Sequence, residues 1–190
     1  HPPCGPSAIP ALARSAQTLG LTTPTMLRRL FLSALALSTL SVRAQKASSD
    51  PVFSRLSREQ RDALEKQRRF VRALLQKHFA GSTLKGGAQD LPALQSILDA
   101  GLLRSDQTWE LQALGVVLGD AMASSIPGLA WWSVTDEFGT DPTLRYQEST
   151  LHFNALTMIS KRVERGEGVD VKSLVSLTAE HINKLAGQYK

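Results

Sequence analysis

The sequence predicts an α+β fold, in which helices cover a small antiparallel sheet of two or three strands. Apolar residues recur with the helical period up to Gly128, and strand-forming residues then dominate from Leu129 to Phe153. The helical period returns after Thr157. The predicted order is therefore three helices, two or three strands, and two helices.

The first predicted helix runs from Leu56 to Phe79. Ser57 followed by Gln60 has the spacing of a capping box, and Gly81 is a stop signal after the helix. The apolar residues fall within one broad face, with His78 beside them, and we expect this face to be buried. They are Leu56, Ala63, Leu64, Phe70, Val71, Leu74 and Leu75.

Two further helices precede the predicted sheet. Asp90 is the expected cap of a short helix that closes at Gly101. Asp106 is the expected cap of a longer helix that ends at Pro127. The longer helix has an apolar stripe that consists of Leu111, Leu114, Leu118, Ala121 and Met122.

Two glycines, Gly115 and Gly119, stand four residues apart on one face of this longer helix. Each costs about 1 kcal/mol of helix propensity, so we expect a compensating close approach of another part of the molecule. Packing against a strand is the favoured interpretation, and a ligand pressed against the helix is the alternative.

The predicted sheet begins with a strand from Leu129 to Asp136, and residues 136–142 have the composition of a turn. The chain then returns through Leu144, Tyr146 and residues 151–153, either as one long strand or as two short ones. This segment supplies all the strands that the sequence predicts.

The last two predicted elements are helices. Thr157 opens a short helix that runs from Met158 to Arg165 and is ended by Gly166. Asp170 caps the final helix, whose apolar positions keep the helical spacing, and Gly187 ends it.

Residues 26–44 have the layout of a secretory signal peptide. Two arginines follow the methionine, residues 30–42 form an uncharged apolar run, and Ala44 is the small residue before the expected cut at Gln45. The alternative is an uncleaved membrane anchor, which needs about 20 apolar residues. Arg43 interrupts the run before that length.

Cleavage defines the expected mature domain as residues 45–190, located in the periplasm or outside the cell and without a transmembrane segment. Residues 1–25 contain no methionine and no sustained apolar period, so we interpret them as sequence upstream of the native start. The single cysteine, Cys4, is lost with them, which excludes a disulfide framework and a Cys-rich metal site.

The net charge of +5 lies mostly in residues 1–44, which hold four arginines and no acid, because residues 45–190 carry 18 basic and 17 acidic residues. Within them, Arg55 to Lys77 holds eight basic and three acidic residues, and Asp90 to Lys190 holds eight basic and thirteen acidic ones. We expect the basic helix to be solvated or docked on the acidic body, and we expect no nucleic-acid partner. Its arginine stripe consists of Arg58, Arg61, Arg68 and Arg72.

Three strings resemble a known family. They are LGVVLGD at residues 114–120, VTDEFGTDP at residues 134–142 and TMISKRVERGE at residues 157–167. In this order they resemble the bacterial family catalogued as domain of unknown function 3806, over about residues 107–185. The resemblance implies a compact α+β domain and supplies no catalytic residues.

Acidic residues crowd the predicted turn. Asp136, Glu137 and Asp141 offer oxygen ligands for a hard cation, but their spacing is not that of an EF-hand loop. A solvated acidic turn is therefore the favoured interpretation. Glu148 and His152 have metal-ligand spacing only on a helix, and a strand would hold them about 13 Å apart. We therefore expect no metal and no cofactor.

Basic and aromatic residues supply the other candidates. Lys161 and Arg162 lie on the short helix after the sheet, where they suit either an anion at its start or the dipole at its end. The second interpretation is favoured. Because side chains alternate along a strand, Trp131 and Trp132 point to opposite faces, and the outward indole is the best pointer to a binding surface.

Two classes of function follow. We favour a noncatalytic exported module that binds a protein partner, because no catalytic motif is recognisable. The alternative is a small periplasmic hydrolase, or a ligand- or cation-binding enzyme, that uses residues 136–141 with His152 or Arg145. A deep pocket where Asp136, Arg145 and Lys161 converge would favour the enzyme, and a flat surface with an exposed tryptophan would favour partner binding.

Overall fold

The computed structural model describes residues 50–186. The expected cleavage site at Ala44 and Gln45 and the expected helix stop at Gly187 lie outside these residues. The strands are β1 (Val52–Ser54), β2 (Leu129–Asp136), β3 (Gly139–Tyr146) and β4 (His152–Phe153). The α-helices are α1 (Arg58–His78), α2 (Leu91–Asp99), α3 (Thr108–Ser125), α4 (Ala155–Glu164) and α5 (Val171–Ala186), and a 3-10 turn spans Ala88–Asp90.

The strands form one antiparallel sheet in the order β1-β2-β3-β4, which confirms the α+β class. The sheet has four strands instead of two or three, because β1 precedes α1 and pairs with the edge of β2. Val52 lies opposite Thr135 and Ser54 opposite Ser133. A strand of three residues is too short to show alternation in the sequence, so only its pairing identifies it.

Helix α3 is the centre of the core. Its predicted apolar stripe is buried, and Ala113, Val116 and Val117 are buried as well. The reason is that α3 contacts the other four α-helices and β2, so that most of its circumference is covered. A helix enclosed in this way is apolar on more sides than a surface helix is.

The two glycines of α3 admit two different neighbours. Gly119 lies against the indole of Trp131 in β2 and the methyl group of Ala155. Gly115 lies against the main-chain carbonyls of Ala155 and Leu156, at the start of α4. The predicted contact with a strand is therefore right for Gly119 and wrong for Gly115. Atoms of the protein itself, and not a ligand, lie against both glycines.

Helix α1 begins as predicted. Ser57 Oγ accepts the Gln60 amide at 3.1 Å, and the Ser57 amide donates to Gln60 Oε1 at 3.0 Å, which completes the capping box. The buried face is narrower than predicted, since Ala63 and His78 are exposed and Gln67 is buried instead. The contact of α1 with the rest of the domain runs mainly through α3, so only one stripe is covered.

Two of the expected helix caps have other roles. The buried Asp90 carboxylate accepts the amides of Lys85 and Gly86, both at 2.8 Å, and so closes the loop before the helix instead of capping it. Asp106 pairs with Arg104, and Gln107 holds the position before α3. A carboxylate near a helix start bonds whichever amides the fold brings to it.

At the last two helices, one start is confirmed and one is wrong. Helix α4 begins at Ala155, two residues before Thr157, because the chain enters it directly from β4. Asp170 caps α5 as predicted: its Oδ1 accepts the amides of Lys172 and Ser173, each at 3.0 Å. The hydrogen bond from the Ser173 amide is the main reason that the pKa of Asp170 is lowered.

The hairpin between β2 and β3 is tighter than predicted. The turn consists of Glu137 and Phe138, and the Phe138 amide donates to Asp136 Oδ1 at 2.8 Å. The residues from Gly139 to Pro142, which were expected in the turn, therefore belong to β3. The return is two separate strands, since the chain turns at Gln147, whose φ of 52° is left-handed.

Candidate functional site

The register of the sheet separates the two tryptophans. Trp131 lies opposite Leu144 and Trp132 opposite Thr143, so the two indoles point to different faces of the sheet, as predicted. The face with Trp131 packs on α3 and is called the inner face. The face with Trp132, Thr143 and Arg145 is called the outer face.

On the inner face, Trp131 belongs to a network that joins three elements. Its Nε1 donates to Asp120 Oδ1 at 2.9 Å, and Arg68 of α1 donates to both oxygens of Asp120 at 2.7 and 2.8 Å. The hydrogen bond to Asp120 raises the pKa of Arg68. Trp131 is thus held inside the domain, and Trp132 is the outward indole of the pair.

The outer face carries a cluster of stacked rings and cations. The Arg55 guanidinium lies 4.1 Å from the centre of the Trp132 ring, and that of Arg145 lies 4.9 Å from it. Arg145 is also 4.3 Å from the ring of Phe53, which makes an edge contact with His152 at 5.3 Å. We call these five residues the Arg–Trp cluster.

Main-chain carbonyls orient Arg145 within this cluster. Its Nε donates to the Ser149 carbonyl at 2.7 Å, and its Nη2 donates to the carbonyl of Glu148. Arg145 therefore does not converge with Asp136 and Lys161, the arrangement that would favour an enzyme site. It lies four residues beyond Asp141 on β3, a distance of about 13 Å along a strand.

A second feature is a cavity of about 380 Å³ at the side of the sheet, here called the edge cavity. It brings Asp136 and Asp141 of the hairpin together with Lys161 of α4, as well as His152 and Asn154. Glu137 and Arg162 are not part of its lining. The side chain of Arg162 turns back along α4 and donates to the Met158 carbonyl at 2.7 Å.

The edge cavity exists because β4 is shorter than β3. Strand β4 pairs only with Leu144 and Arg145, so residues 139–143 have no strand beside them on that side. The Gln147 amide donates to the Gly128 carbonyl, on the side of β2, and the Tyr146 amide donates to the Leu151 carbonyl, on the side of β4. Because this direction alternates along a strand, the even-numbered residues of β3 direct their N–H and C=O groups toward the side where β4 ends early. Pro142 is one of these residues. It has no N–H, so this edge resists the addition of another strand.

The groups in the edge cavity suit binding better than nucleophilic catalysis. The Thr150 carbonyl can only accept, so the His152 Nδ1 that lies 3.0 Å from it is the donor, and Nε2 is left for other partners. Thr143 Oγ1 donates to the Phe153 carbonyl at 3.0 Å, and no Ser or Cys occurs among the described residues that line the cavity. Within residues 50–186, no three His, Cys, Asp or Glu side chains meet in a group that could hold a metal ion.

Sequence reasoning missed two parts of these sites. Phe53 and Arg55 were overlooked because β1 was not predicted, and β1 is what brings them to Trp132. Asp120 was overlooked because an acidic residue on an apolar helix has no evident partner in the sequence. The basic stripe of α1 was a usable signal, since one of its arginines is the partner of Asp120.

Comparison with protein families matches residues 90–174 to the model described as Domain of unknown function (DUF3806). The matched segment begins earlier than the resemblance predicted, at residue 90 instead of 107, and ends at 174 instead of 185. No curated protein matches the sequence.

A crystal structure of a protein from Bacteroides thetaiotaomicron VPI-5482 is similar in fold, with a TM-score of 0.64 and 15% sequence identity. The similarity covers 73% of this chain and 51% of that one, so this chain spans about half the length of that protein. At such identity the likeness concerns the fold alone. In the part of the chain that the structure describes, no helix has the length and apolar character needed to cross a membrane.

Proposed function

We propose that this chain, which belongs to the DUF3806 family over residues 90–174, is an exported domain that binds an acidic segment of a partner protein through the Arg–Trp cluster. The proposal includes no catalysed reaction. It rests on the outer face of the sheet, where two cations flank one half-buried indole.

The observation that carries this proposal is that the two guanidinium groups stack on aromatic rings and have no carboxylate partner among the described residues. Neither Arg55 nor Arg145 has a carboxylate within 4.0 Å among residues 50–186. In contrast, three arginines of α1 are paired with acids: Arg58, Arg68 and Arg72. Stacking on an aromatic ring holds a guanidinium in place while its N–H groups point outward from the rim. Arg145 uses Nε and one N–H of Nη2 for the Ser149 and Glu148 carbonyls, so its Nη1 side remains for a ligand. The two arginines therefore present donors in fixed positions.

This geometry suits a carboxylate. A guanidinium binds a carboxylate through two parallel hydrogen bonds, and an apolar side chain of the partner can lie on the remaining surface of Trp132 and Phe53. The neighbouring start of α1 adds Arg58 and Arg61 to the positive potential. A phosphate backbone offers similar chemistry, but export removes the domain from most nucleic acid, so we favour an acidic protein segment.

The alternative function, a hydrolase or a ligand- or cation-binding enzyme of the hairpin, is supported by one observation. The edge cavity does collect Asp136, Asp141 and His152. Arg145 lies outside this set, and the described lining has no Ser or Cys to act as a nucleophile. The edge cavity is therefore better explained as a binding site than as a catalytic one.

A retention experiment tests the proposed function. The immobilised protein is exposed to periplasmic extract of its bacterial host, and retained proteins are quantified by mass spectrometry for the wild type, R55Q and W132L. We expect an acidic protein to be retained by the wild type and to be reduced about five- to thirty-fold in both variants, since each loses a contact worth about 1–2 kcal/mol. Higher salt should release the retained protein.

The matched control is R69Q, which removes an exposed arginine from α1 that is not part of the cluster. This variant should retain the partner as well as the wild type does. Circular dichroism of each variant checks that the fold is intact. Equal retention by R55Q, W132L and R69Q, or no retained protein for the wild type, would contradict the proposal.

A further inference from the structure

The edge cavity holds opposite charges that do not neutralise each other. Asp136 and Asp141 lie on the hairpin side of the cavity, and Lys161 reaches it from α4. No ion pair within 4.0 Å joins either carboxylate to the Lys161 ammonium among residues 50–186. The charged groups thus line one cavity and do not form an ion pair across it.

Several polar side-chain atoms that line the edge cavity have no partner among the described residues. One oxygen of Asp136 accepts the Phe138 amide, which orients the carboxylate and leaves its second oxygen free. Asp141 makes no side-chain hydrogen bond to another described residue. The Thr150 carbonyl orients the His152 ring, so that Nε2 is the ring nitrogen left for a ligand.

The size and surface of the cavity limit what it can take. A volume of about 380 Å³ is at the lower end of the range for small-molecule sites. The Phe138 side chain, 86% exposed, stands at its mouth, and Val134 contributes an apolar floor. A small molecule with separated charges of both signs and a modest apolar part matches this lining.

We propose that the edge cavity binds a free amino acid. The α-ammonium group lies between Asp136 and Asp141, the α-carboxylate is bound by Lys161, and the side chain rests against Phe138. Charge-assisted hydrogen bonds of this kind are among the strongest that a partly open site can form. The site goes beyond the acidic partner proposed for the Arg–Trp cluster. The two sites share His152, and their arginine, aspartate and lysine side chains are different.

The charge of the lining also sets the selectivity. Two carboxylates and one ammonium leave a net charge of −1 when His152 is neutral. A ligand with an additional positive charge is therefore favoured over a neutral zwitterion, and a ligand with an additional negative charge is disfavoured. The expected order of affinity is L-lysine, then L-alanine, then L-glutamate.

Nuclear magnetic resonance of the full-length chain tests this site. L-Alanine, L-lysine and L-glutamate are titrated to ~10 mM, a range that detects millimolar dissociation constants. We expect the amide signals of Phe138, Gly139 and Asn154 to shift, with affinities in the stated order. D141N and K161Q should each weaken the binding of L-lysine about ten-fold or more, as expected for the loss of a charge-assisted hydrogen bond.

Two controls keep the result specific. E137Q changes an acid of the same hairpin that does not line the cavity, and K172Q changes an exposed lysine of α5, so both should bind as the wild type does. Acetate and ethylammonium, which each carry only one of the two charges, should bind at least ten-fold more weakly. Absence of shifts, equal binding of acetate, or unchanged binding in both D141N and K161Q overturns the assignment. R55Q should leave this binding intact, which separates it from the function of the Arg–Trp cluster.

Discussion

At the scale of single residues, two close contacts between elements depend on the absence of a side chain. Gly115 and Gly119 allow α4 and Trp131 to approach the backbone of α3. Each glycine lowers helix propensity by about 1 kcal/mol, and the close contacts between elements compensate for that cost. The backbone of α4 cannot move away from α3 as easily as the end of a flexible side chain can.

The substitution G115A should therefore destabilise the protein although alanine favours the helix. A methyl group at this position would overlap the main-chain carbonyls of Ala155 and Leu156. We expect the free energy of unfolding to fall by about 1–3 kcal/mol, the usual cost of overpacking, measured by urea denaturation.

G168A is the matched control, because a methyl group there meets no atom within 4 Å and the backbone has no positive φ. It should leave stability unchanged or raise it by up to about 1 kcal/mol. If G115A proved as stable as G168A, the close approach of α4 to α3 would be in doubt.

At the scale of elements, helix starts differ in how far their cap depends on neighbours. Ser57 and Asp170 bond amides of their own helices, and their sequences predict these caps. Asp90 bonds the loop before it, and Gln107 takes the place expected for Asp106. The difference arises because a short polar side chain reaches amides on either side, and the path of the chain decides which are free.

The cap of α5 predicts a dependence on pH. Since folding lowers the pKa of Asp170, its ionised form stabilises the fold fully above the ordinary value of 3.8, and this contribution is lost as the pH falls through the folded value. D170N should have a lower Tm than the wild type at neutral pH. The difference should narrow as the pH is lowered below 3.8.

Thermal unfolding followed by circular dichroism between neutral pH and about pH 3 measures this effect. E180Q, which removes an exposed acid from the same helix, should show no comparable change. A Tm difference between the wild type and D170N that stays constant over the whole range would show that the ionised carboxylate is not responsible.

At the scale of the whole molecule, the basic charge of α1 is partly neutralised by an acidic residue of the helix it packs on. The basic helix α1 meets the acidic body through Arg68 and Asp120, a bidentate pair that is partly shielded from solvent. This contact supports the interpretation that the stripe docks on the body. The other arginines of the stripe remain nearer the surface, where they add to the positive potential beside the Arg–Trp cluster.

The proposed export concerns the molecule as a whole and has its own test. Expressed from Met26 in a bacterial host, the chain should appear in the periplasm or medium with Gln45 as its first residue, as N-terminal sequencing would show. L35R places a charge in the apolar run and should keep the chain in the cytoplasm with residues 26–44 intact. A wild-type protein that retains Met26 would refute the proposed signal peptide.

The elements that the sequence predicts best are those whose causes are local. The apolar period of α3, the capping box of α1 and the alternation of Trp131 and Trp132 depend on residues a few positions apart. These patterns were enough for the α+β class. They did not predict β1, because three residues carry no period. Nor did they predict the end of the turn at Phe138, whose amide donates a hydrogen bond to Asp136 Oδ1.

The sequence alone therefore determined the class of the fold, most of its helices and the opposite orientation of the two tryptophans. Only the tertiary structure decided which charged residues share a site. The strand register places Arg145 beside Trp132 and away from Asp136. The short strand β4 leaves open the cavity that both Lys161 and Asp141 line. The physical reason is that helical period and capping act within a few residues, whereas a site forms where distant elements pack.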